Sequence, residues 1–326
     1  MKFLVTGSAG HLGEALVLTL REQGHTVTGF DRLASVTTDV QGSITDAAWV
    51  ADAMRGVQAV LHTATLHKPH VATHPMQAFV DTNIAGTLCL LEAAVAAGVQ
   101  RFIYTSTTSA FGAALTPAPG EPAAWIDETV KPVPRNIYGT TKVAAEDLCQ
   151  LMHRLHGLPC LVLRTSRFFP EADDHAGMRS AFADDNIKAN EYLHRRVALE
   201  DVVDAHLLAI DRAAAIGFDR YIISATTPFA PGDLAALRTD AAAVVQRRVP
   251  AYVDEYARRG WKMFSAIDRV YVNARARQQL GWQPRVDFAH VLDRLRAGER
   301  VAGSLASAVG AKGYHTETFG GGPYPV

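Results

Sequence analysis

Short apolar runs rich in β-branched residues alternate, over the first two thirds of the chain, with longer stretches whose apolar positions recur every three to four residues. The runs predict strands and the stretches predict helices. The predicted strands are 3–5, 26–30, 59–62, 101–105, 160–163 and 220–224. The predicted helices are 11–23, 46–54, 76–97, 138–156 and 197–214. This alternation predicts an α/β fold with a doubly wound parallel sheet whose strands are buried on both faces.

The alternation breaks after residue 165, where residues 168–185 are rich in Pro, Asp and Gly. We therefore expect a larger domain made of residues 1–165 plus 200–223. A smaller C-terminal lobe would comprise residues 166–199 plus 224–326. The aromatic and Gly-rich residues 313–325 are either a disordered tail or a flap over a site.

Composition narrows the classes of partner. The 326 residues carry a net charge of −1 with both signs mixed throughout, and no basic patch stands out, so we expect no nucleic-acid partner. The apolar start of the chain ends at Thr6-Gly7, and we expect no later apolar run to be long enough to span a membrane. Three scattered cysteines are typical of free thiols in a reducing compartment. These features predict a cytoplasmic protein without a membrane partner.

A glycine-rich turn joins the first predicted strand to the first predicted helix. Its glycines, Gly7, Gly10 and Gly13, have the spacing GxxGxxG. Such a turn lets the backbone approach a pyrophosphate, and the amides at the helix start bind the anion. Asp31 ends the second predicted strand, eighteen residues after Gly13. A carboxylate there suits the ribose hydroxyls of NAD and repels the 2′-phosphate of NADP, although the neighbouring Arg32 could cap that phosphate.

Tyr138 and Lys142 are four residues apart at the start of a predicted helix, so they share one face. A free tyrosine has a pKa of about 10. A nearby ammonium lowers that pKa, and a base with a pKa near the working pH is the better catalyst. The hydroxyl-rich residues 105–109 follow a predicted strand at the edge where ligands bind in such sheets.

Together these motifs resemble those of the extended short-chain dehydrogenase/reductases, also called NAD-dependent epimerase/dehydratases. The resemblance covers the chain through Arg164 and again around residues 200–203, with a looser match at residues 273–284. The segments that carry it are residues 6–13, 62–64, 83–87, 91–94, 104–112, 138–142 and 280–284.

The resemblance implies roles for individual residues. Aligned through residues 110–112, it makes Thr107 the catalytic hydroxyl, Tyr138 the acid/base and Lys142 the residue that tunes Tyr138 and holds the nicotinamide ribose. It implies a Rossmann-type NAD-binding domain, a substrate-binding C-terminal lobe, and a homodimer formed through the helices that contain Asn83 and Tyr138. The expected NAD-binding residues are Gly7, Ala9, Gly10, His11, Leu12, Gly13, Asp31, Arg32, Ser43, Ile44, Thr63, Ala64, Thr65, Asn83, Thr105, Tyr138, Lys142 and Arg164.

The chain also departs from the family's pattern. Ser43 stands where an Asp near the adenine is common. Thr108 and Ser109 replace the Asp-Glu pair of sugar dehydratases, which argues against dehydration. Arg167 occupies the place of an Asn that is usual in sugar-nucleotide epimerases, and the segment from 170 to 195 is shorter than theirs. Both points weaken the assignment of a nucleotide-sugar substrate.

The sequence specifies the substrate-binding residues less fully than the cofactor-binding ones. His67, His70 and His74 could form a metal site, but we favour a substrate-facing loop and expect no metal, because no carboxylate ligand is near them in the sequence. Arginines around the irregular segment suit a substrate carboxylate or phosphate, or ion pairs with its aspartates. Those arginines are Arg167, Arg179, Arg195 and Arg196, and the aspartates are Asp173, Asp174, Asp184 and Asp185. The expected substrate-binding residues are His67, His70, Thr107, Thr108, Arg167 and Arg195.

The leading hypothesis is an NAD-dependent oxidoreductase that transfers hydride at a secondary alcohol carbon of a sugar-like or other small hydroxy substrate. One alternative is a nucleotide-sugar 4-epimerase that holds NAD tightly. Another, of a different class, is a non-catalytic NAD-binding regulator. The set of Thr107, Tyr138 and Lys142 argues against the regulator.

Overall fold

The computed structural model describes residues 1–313. A seven-stranded, wholly parallel sheet dominates it, in the order β3-β2-β1-β4-β5-β7-β8, and β6 pairs with β9 in a separate ribbon. The strands are β1 (Lys2–Thr6), β2 (Thr26–Asp31), β3 (Val40–Gln41), β4 (Ala59–His62), β5 (Arg101–Thr107), β6 (Ala124–Ile126), β7 (Cys160–Thr165), β8 (Phe218–Ile223) and β9 (Arg269–Tyr271).

Helices cover both faces of the sheet and build the C-terminal region. They are α1 (His11–Glu22), α2 (Ala47–Ala53), α3 (Met76–Phe79), α4 (Gly86–Ala96), α5 (Ile137–His156), α6 (Ala176–Ala181), α7 (Asp184–Glu191), α8 (Leu199–Ile216), α9 (Leu234–Thr239), α10 (Ala241–Arg248), α11 (Tyr252–Arg259), α12 (Phe288–Arg296) and α13 (Ser304–Val309). A π-helical stretch, Val80–Ala85, joins α3 to α4. Helices α1, α8 and α13 pack on one face of the sheet, and α2, α4 and α5 on the other.

The strand order reverses direction between β1 and β4. From β1 the chain builds outward to β2 and β3, and it then crosses back to add β4, β5, β7 and β8 on the other side. In open α/β sheets this switch point leaves a crevice at the carboxyl ends of the strands, where ligands bind. The sheet therefore places its candidate site above β1 and β4.

A separate apolar core lies outside the sheet. It joins residues of α7 and the segment after it to α10, α11 and α12, with Leu193, Val244, Val270 and Leu292 fully or almost fully buried. The irregular segment predicted for residues 168–185 in fact contains α6 and the start of α7. Helix α13 and Trp282, both inside the predicted lobe, pack instead on the core beneath the sheet.

The helical segment Met76–Ala96 is long and apolar enough to cross a membrane, with a mean hydropathy of 1.4. The expectation that no apolar run reaches that length was therefore wrong. Length and composition alone are weak grounds for a span, and this segment packs against α2 and α5 beside the sheet.

Candidate active site

One cavity of about 690 Å³ opens at the carboxyl ends of the central strands. It runs from the glycine turn after β1 to the irregular segment after β7. Most of the residues expected at the site line it. They are Gly7, Ala9, Gly10, His11, Leu12, Gly13, Asp31, Arg32, Ile44, Thr63, Ala64, Thr65, His67, His70, Thr105, Thr107, Thr108, Tyr138, Lys142, Arg167 and Arg195.

The glycine turn is built so that only hydrogen fits at two of its positions. Gly7 has φ +74°, and a Cβ there would lie 2.7 Å from the backbone nitrogen of Ala64. A Cβ on Gly13 would lie 1.9 Å from the carbonyl oxygen of Gly7, well inside van der Waals contact. Gly10 precedes α1, and no side chain among the described residues caps this helix, so its first amides are available to an anion. This cradle fits the pyrophosphate of a dinucleotide.

Asp31 lies where the ribose next to the adenine would be held. Its carboxylate accepts hydrogen bonds from the backbone nitrogens of Ala9 and Leu33, at 3.0 and 2.9 Å. These bonds hold the carboxylate across the cavity edge between the glycine turn and the end of β2. The arrangement fits a ribose diol and disfavours a phosphate there.

Tyr138 and Thr107 meet at the centre of the cavity. The Thr107 hydroxyl accepts a hydrogen bond from the Ser109 nitrogen at 3.0 Å, and it lies close enough to Tyr138 to lower the pKa of the phenol. Tyr138 is 3% exposed, and burial raises the pKa of its phenol, an effect that Thr107 opposes. A base buried in this way needs local groups that stabilise its anion.

Lys142 lies one helical turn beyond Tyr138 and is 2% exposed. Its Nζ donates to the Thr105 carbonyl at 2.6 Å and lies 4.2 Å from the centre of the Tyr104 ring. Burial lowers the pKa of its ammonium to about 7, and the nearby Glu146 opposes this shift. The sequence predicts that Lys142 lowers the pKa of Tyr138. In the structure, burial instead dominates the pKa values of both groups.

Three residues expected to contact the cofactor do not line the cavity. The Ser43 hydroxyl bonds that of Thr45 at 2.8 Å. Arg164 is buried in an ion pair with Glu146 at 2.6 Å. Asn83 is 1% exposed; its side chain bonds both the nitrogen and the carbonyl of Leu66 and so shapes the loop behind the cavity. The side chains of all three residues are bonded to other groups of the protein rather than directed into the cavity.

His67 lies beside Tyr138, with ring centroids 5.1 Å apart, and it also contacts Phe169 edge to face. Burial lowers the pKa of its imidazole to about 3, so the ring is neutral. Among residues 1–313, no group of three His, Cys, Asp or Glu side chains is arranged to hold a metal ion.

The arginines at the far end of the cavity form ion pairs. Arg167 pairs with Asp173, Asp174 and Glu191, and Arg195 pairs with Glu191 at 3.0 Å. Of the other predicted carboxylate partners, Asp184 pairs with Lys188 instead. Glu191 is a further partner of both arginines that the sequence did not suggest, and it is fully buried in α7.

Several cavity residues carried no signal in the sequence pattern. Phe168 and Phe169 line it from the irregular segment, and Tyr271 from β9. Lys312 and Gly313 also line it: the Lys312 nitrogen lies 3.2 Å from His11 Nε2 and 3.1 Å from Glu171 Oε1, and its Nζ donates to Glu14 at 2.6 Å. The aromatic residues after Gly313, suggested above as a tail or a flap, lie outside the described residues.

Comparison with known proteins agrees with this geometry. Residues 3–223 match the NAD dependent epimerase/dehydratase family. The chain is 30% identical to a dTDP-glucose 4,6-dehydratase of Streptomyces antibioticus, covering 90% of this chain and 91% of that protein. It is 28% identical to a 3 beta-hydroxysteroid dehydrogenase/Delta 5-->4-isomerase of Mycobacterium tuberculosis, covering 87% of this chain and 86% of that one.

A solved structure of a short-chain dehydrogenase/reductase superfamily protein from Agrobacterium tumefaciens, with bound NAD, superimposes with a TM-score of 0.61. It is 26% identical and covers 91% of this chain and 98% of its own. The matched relatives are enzymes, which leaves the alternative of a non-catalytic regulator without support. The chain therefore belongs to the NAD dependent epimerase/dehydratase family and is an enzyme that uses NAD.

Proposed function

We propose that this enzyme is a dehydrogenase that oxidises a secondary alcohol carbon of a small, sugar-like hydroxy substrate. The observation that carries the proposal is the placement of Tyr138, with Thr107 and with Lys142 one helical turn away, in the same cavity as the glycine cradle. An acid/base, a hydroxyl donor and a dinucleotide cradle in one cavity are the parts that hydride transfer from an alcohol requires.

Each residue of the cavity has its own role in binding or in proton transfer. Tyr138 Oη takes the proton of the substrate hydroxyl, and Thr107 orients the substrate oxygen. Lys142 supplies positive charge beside the phenolate and holds the nicotinamide ribose. NAD, held in the glycine cradle, would supply the acceptor for the hydride of the substrate carbon. The amides at the start of α1 would hold its pyrophosphate against the backbone of Gly7 and Ala9, and Asp31 would hold the other ribose.

Sugar 4-epimerisation is the second candidate, since one specific observation favours a retained cofactor. Lys312 and Gly313 line the cavity beside the glycine turn, where they would lie over the bound dinucleotide. An epimerase returns the hydride to its substrate, so it forms no net NADH. A dehydrogenase releases one NADH for each turnover. Steady NADH formation therefore separates the two candidates.

Substitution of Tyr138 tests the function directly. We expect Tyr138→Phe to reduce turnover by about 10²–10⁴-fold because it removes the acid/base, and to leave NAD binding nearly unchanged because the cradle is intact. The measurement is NADH formation over a panel of free sugars, sugar acids and sugar nucleotides, with NAD affinity from fluorescence. Tyr252→Phe removes a phenol hydroxyl in α11, away from the cavity, and is the control. Full turnover in Tyr138→Phe would refute the assignment.

We also propose the organisation that the resemblance implies. Residues 1–165 plus 200–223 form the NAD-binding domain, and residues 166–199 plus 224–326 contribute the substrate lobe, with α13 and Trp282 reaching back to the sheet. The enzyme acts in the cytoplasm on a small-molecule substrate, without nucleic-acid or membrane partners. Two copies associate through Met76–Ala96 and α5. Support for this comes from the apolar surface of these helices, described below.

A further inference from the structure

The end of the cavity that faces the irregular segment has charged walls. Lys68, Arg167, Asp174 and Arg195 all line it. Lys68 follows β4 and pairs with Asp174, which also pairs with Arg167 at 2.8 Å. The two sides of the cavity are therefore joined by one chain of ion pairs, from the loop after β4 to the segment after β7.

Within this network of ion pairs, the described cations outnumber the carboxylates. Asp173, Asp174 and Glu191 are the three carboxylates. The four cations paired with them are Lys68, Arg167, Arg195 and Arg196. In addition, Arg179 donates to the backbone carbonyl of Asp173. The arginines hold the pKa of Glu191 well below its usual range, so the carboxylates keep their charge and an excess of positive charge remains.

Only two of these cations are open to a ligand. The side chains of Lys68 and Arg195 are 40% and 39% exposed, whereas Arg167 and Arg196 are largely enclosed by their partners. Arg195 is also incompletely paired, because its buried Nε has no hydrogen-bond partner among residues 1–313. A buried donor without a partner is costly, and a ligand that accepts a hydrogen bond from it recovers that cost.

A hydroxyl without a partner among the described residues lines the same cavity. It belongs to Ser166, which directly precedes Arg167, and the Arg167 nitrogen donates to the Arg195 carbonyl at 3.2 Å. Ser166, the residue after β7, is 2% exposed and lines the cavity, and its Oγ has no hydrogen-bond partner among the described residues. Ser166 and Arg195 thus both carry donors that residues 1–313 leave unsatisfied. Together with Lys68 they suit an oxygen-rich, negatively charged group.

We propose that the substrate is a small hydroxy acid whose carboxylate binds to Arg195, with Lys68 and Ser166 contributing at the same subsite. This inference rests on the proposed function. The carboxylate takes no part in the reaction: the alcohol carbon gives its hydride to NAD, the hydroxyl proton goes to Tyr138, and a keto acid results. A diphosphate fits less well, since Asp174 already places a negative charge between Lys68 and Arg167.

Binding to the NADH-loaded enzyme tests the subsite without turnover. The probes are D-glucuronate, D-galacturonate and D-gluconate, each compared by calorimetry with its neutral counterpart, D-glucose, D-galactose and D-glucitol. We expect at least one acid to bind at least tenfold more tightly than its neutral counterpart. Equal or weaker binding by all three acids, or tighter binding by UDP-glucose, overturns the proposal.

Arg195→Gln locates the effect. It should weaken binding of the preferred acid at least tenfold, raise its KM by a similar factor and leave the neutral counterpart unaffected, with partial recovery in Arg195→Lys. The matched control is Arg259→Gln, because Arg259 also pairs with a buried Glu four residues earlier and lies away from the cavity. An equal loss for acid and neutral probes in Arg195→Gln would mean that Arg195 only supports the fold, and the proposal would fail.

Different results would contradict the carboxylate subsite and the dehydrogenase activity. Acid-selective binding that depends on Arg195, without NADH formation from any probe, supports the carboxylate subsite and refutes the proposed dehydrogenase. NADH formation from neutral sugars alone, with no acid bound preferentially, supports the dehydrogenase and overturns the carboxylate subsite.

Discussion

Lys142 is an ammonium group removed almost completely from water, and its hydrogen bond to Thr105 and its contact with Tyr104 offset only part of the desolvation. Its pKa in the folded protein is about 7, against 10.5 for the free side chain. Between these values the unfolded chain binds a proton that the folded chain does not. Folding is therefore linked to pH through this residue.

The direction of that linkage is testable. Because the folded pKa is lowered, the free energy of unfolding should rise with pH between about 7 and 10.5 through Lys142. Lys142→Met removes the titration, so the variant should lack this part of the rise. Urea unfolding of both proteins at pH 7 and pH 9, without cofactor, gives the comparison. Parallel pH dependences in the two proteins would show that Lys142 is not desolvated as described.

At the scale of residues, the sequence predicts partners that are close along the chain better than those that are distant. Tyr138 and Lys142 are found from their spacing alone, since a helix fixes their relation. Arg164 pairs with Glu146, which is 18 residues away in the sequence, and Arg167 pairs with Glu191, which is 24 residues away. No local pattern specifies such pairs. Likewise, nothing in the sequence indicates that the Ser166 hydroxyl has no partner among residues 1–313.

At the scale of elements, α5 has an apolar face that the described residues cover only in part. Ala144, Leu148, Leu151 and Leu155 follow each other at helical spacing, and none is fully buried. Leu155 is 63% exposed, and Met76, at the start of α3, is 71% exposed. Exposed apolar surface of this kind on long helices favours association with a second copy.

Charges on this face should separate the proposed dimer. We expect the double variant Leu151→Arg, Leu155→Arg to shift the molar mass in solution from two chains to one, because association would bury unpaired charge. Light scattering after gel filtration measures it. Val253→Arg places a charge on a partly exposed residue of α11 and is the control. A wild-type mass of one chain would remove the dimer proposal altogether.

The longer elements are predicted well because tertiary packing and sequence periodicity agree in them. All six predicted strands and five predicted helices exist with bounds shifted by a few residues, and 76–97 differs only in its π-helical stretch. The two-residue strand β3 and the ribbon of β6 and β9 were missed, because pairs this short are held by distant partners rather than by their own composition. The short helices α6 and α7 were missed for the same reason.

At the scale of the whole molecule, two distant parts of the chain meet at the glycine-turn end of the cavity. The glycine turn and α1 form the floor, and residues 312–313 return across it from the end of α13. Lys312 bonds His11 and Glu14 of α1 and also Glu171 of the irregular segment. The segment therefore connects the sheet to the substrate side of the cavity.

Two truncations isolate this contribution. A chain ending at Ala311 lacks the contacts of Lys312, whereas a chain ending at Gly313 keeps them and serves as the control. We expect NAD to dissociate about tenfold faster from the shorter chain, since hydrogen bonds to charged groups contribute about 1.5–3 kcal/mol each. A stopped-flow chase measures the rate. Identical rates for the two chains would show that residues 312–313 do not hold the cofactor.

The hydrogen bond between Lys312 and His11 joins residues 301 positions apart. It belongs to an irregular segment and not to the ladder of strands, so it can break while every strand pair persists. We therefore expect local opening at the glycine-turn end of the cavity to need less free energy than global unfolding. On that expectation, cofactor exchange and conformational stability have different barriers, and a substitution that lowers one need not lower the other.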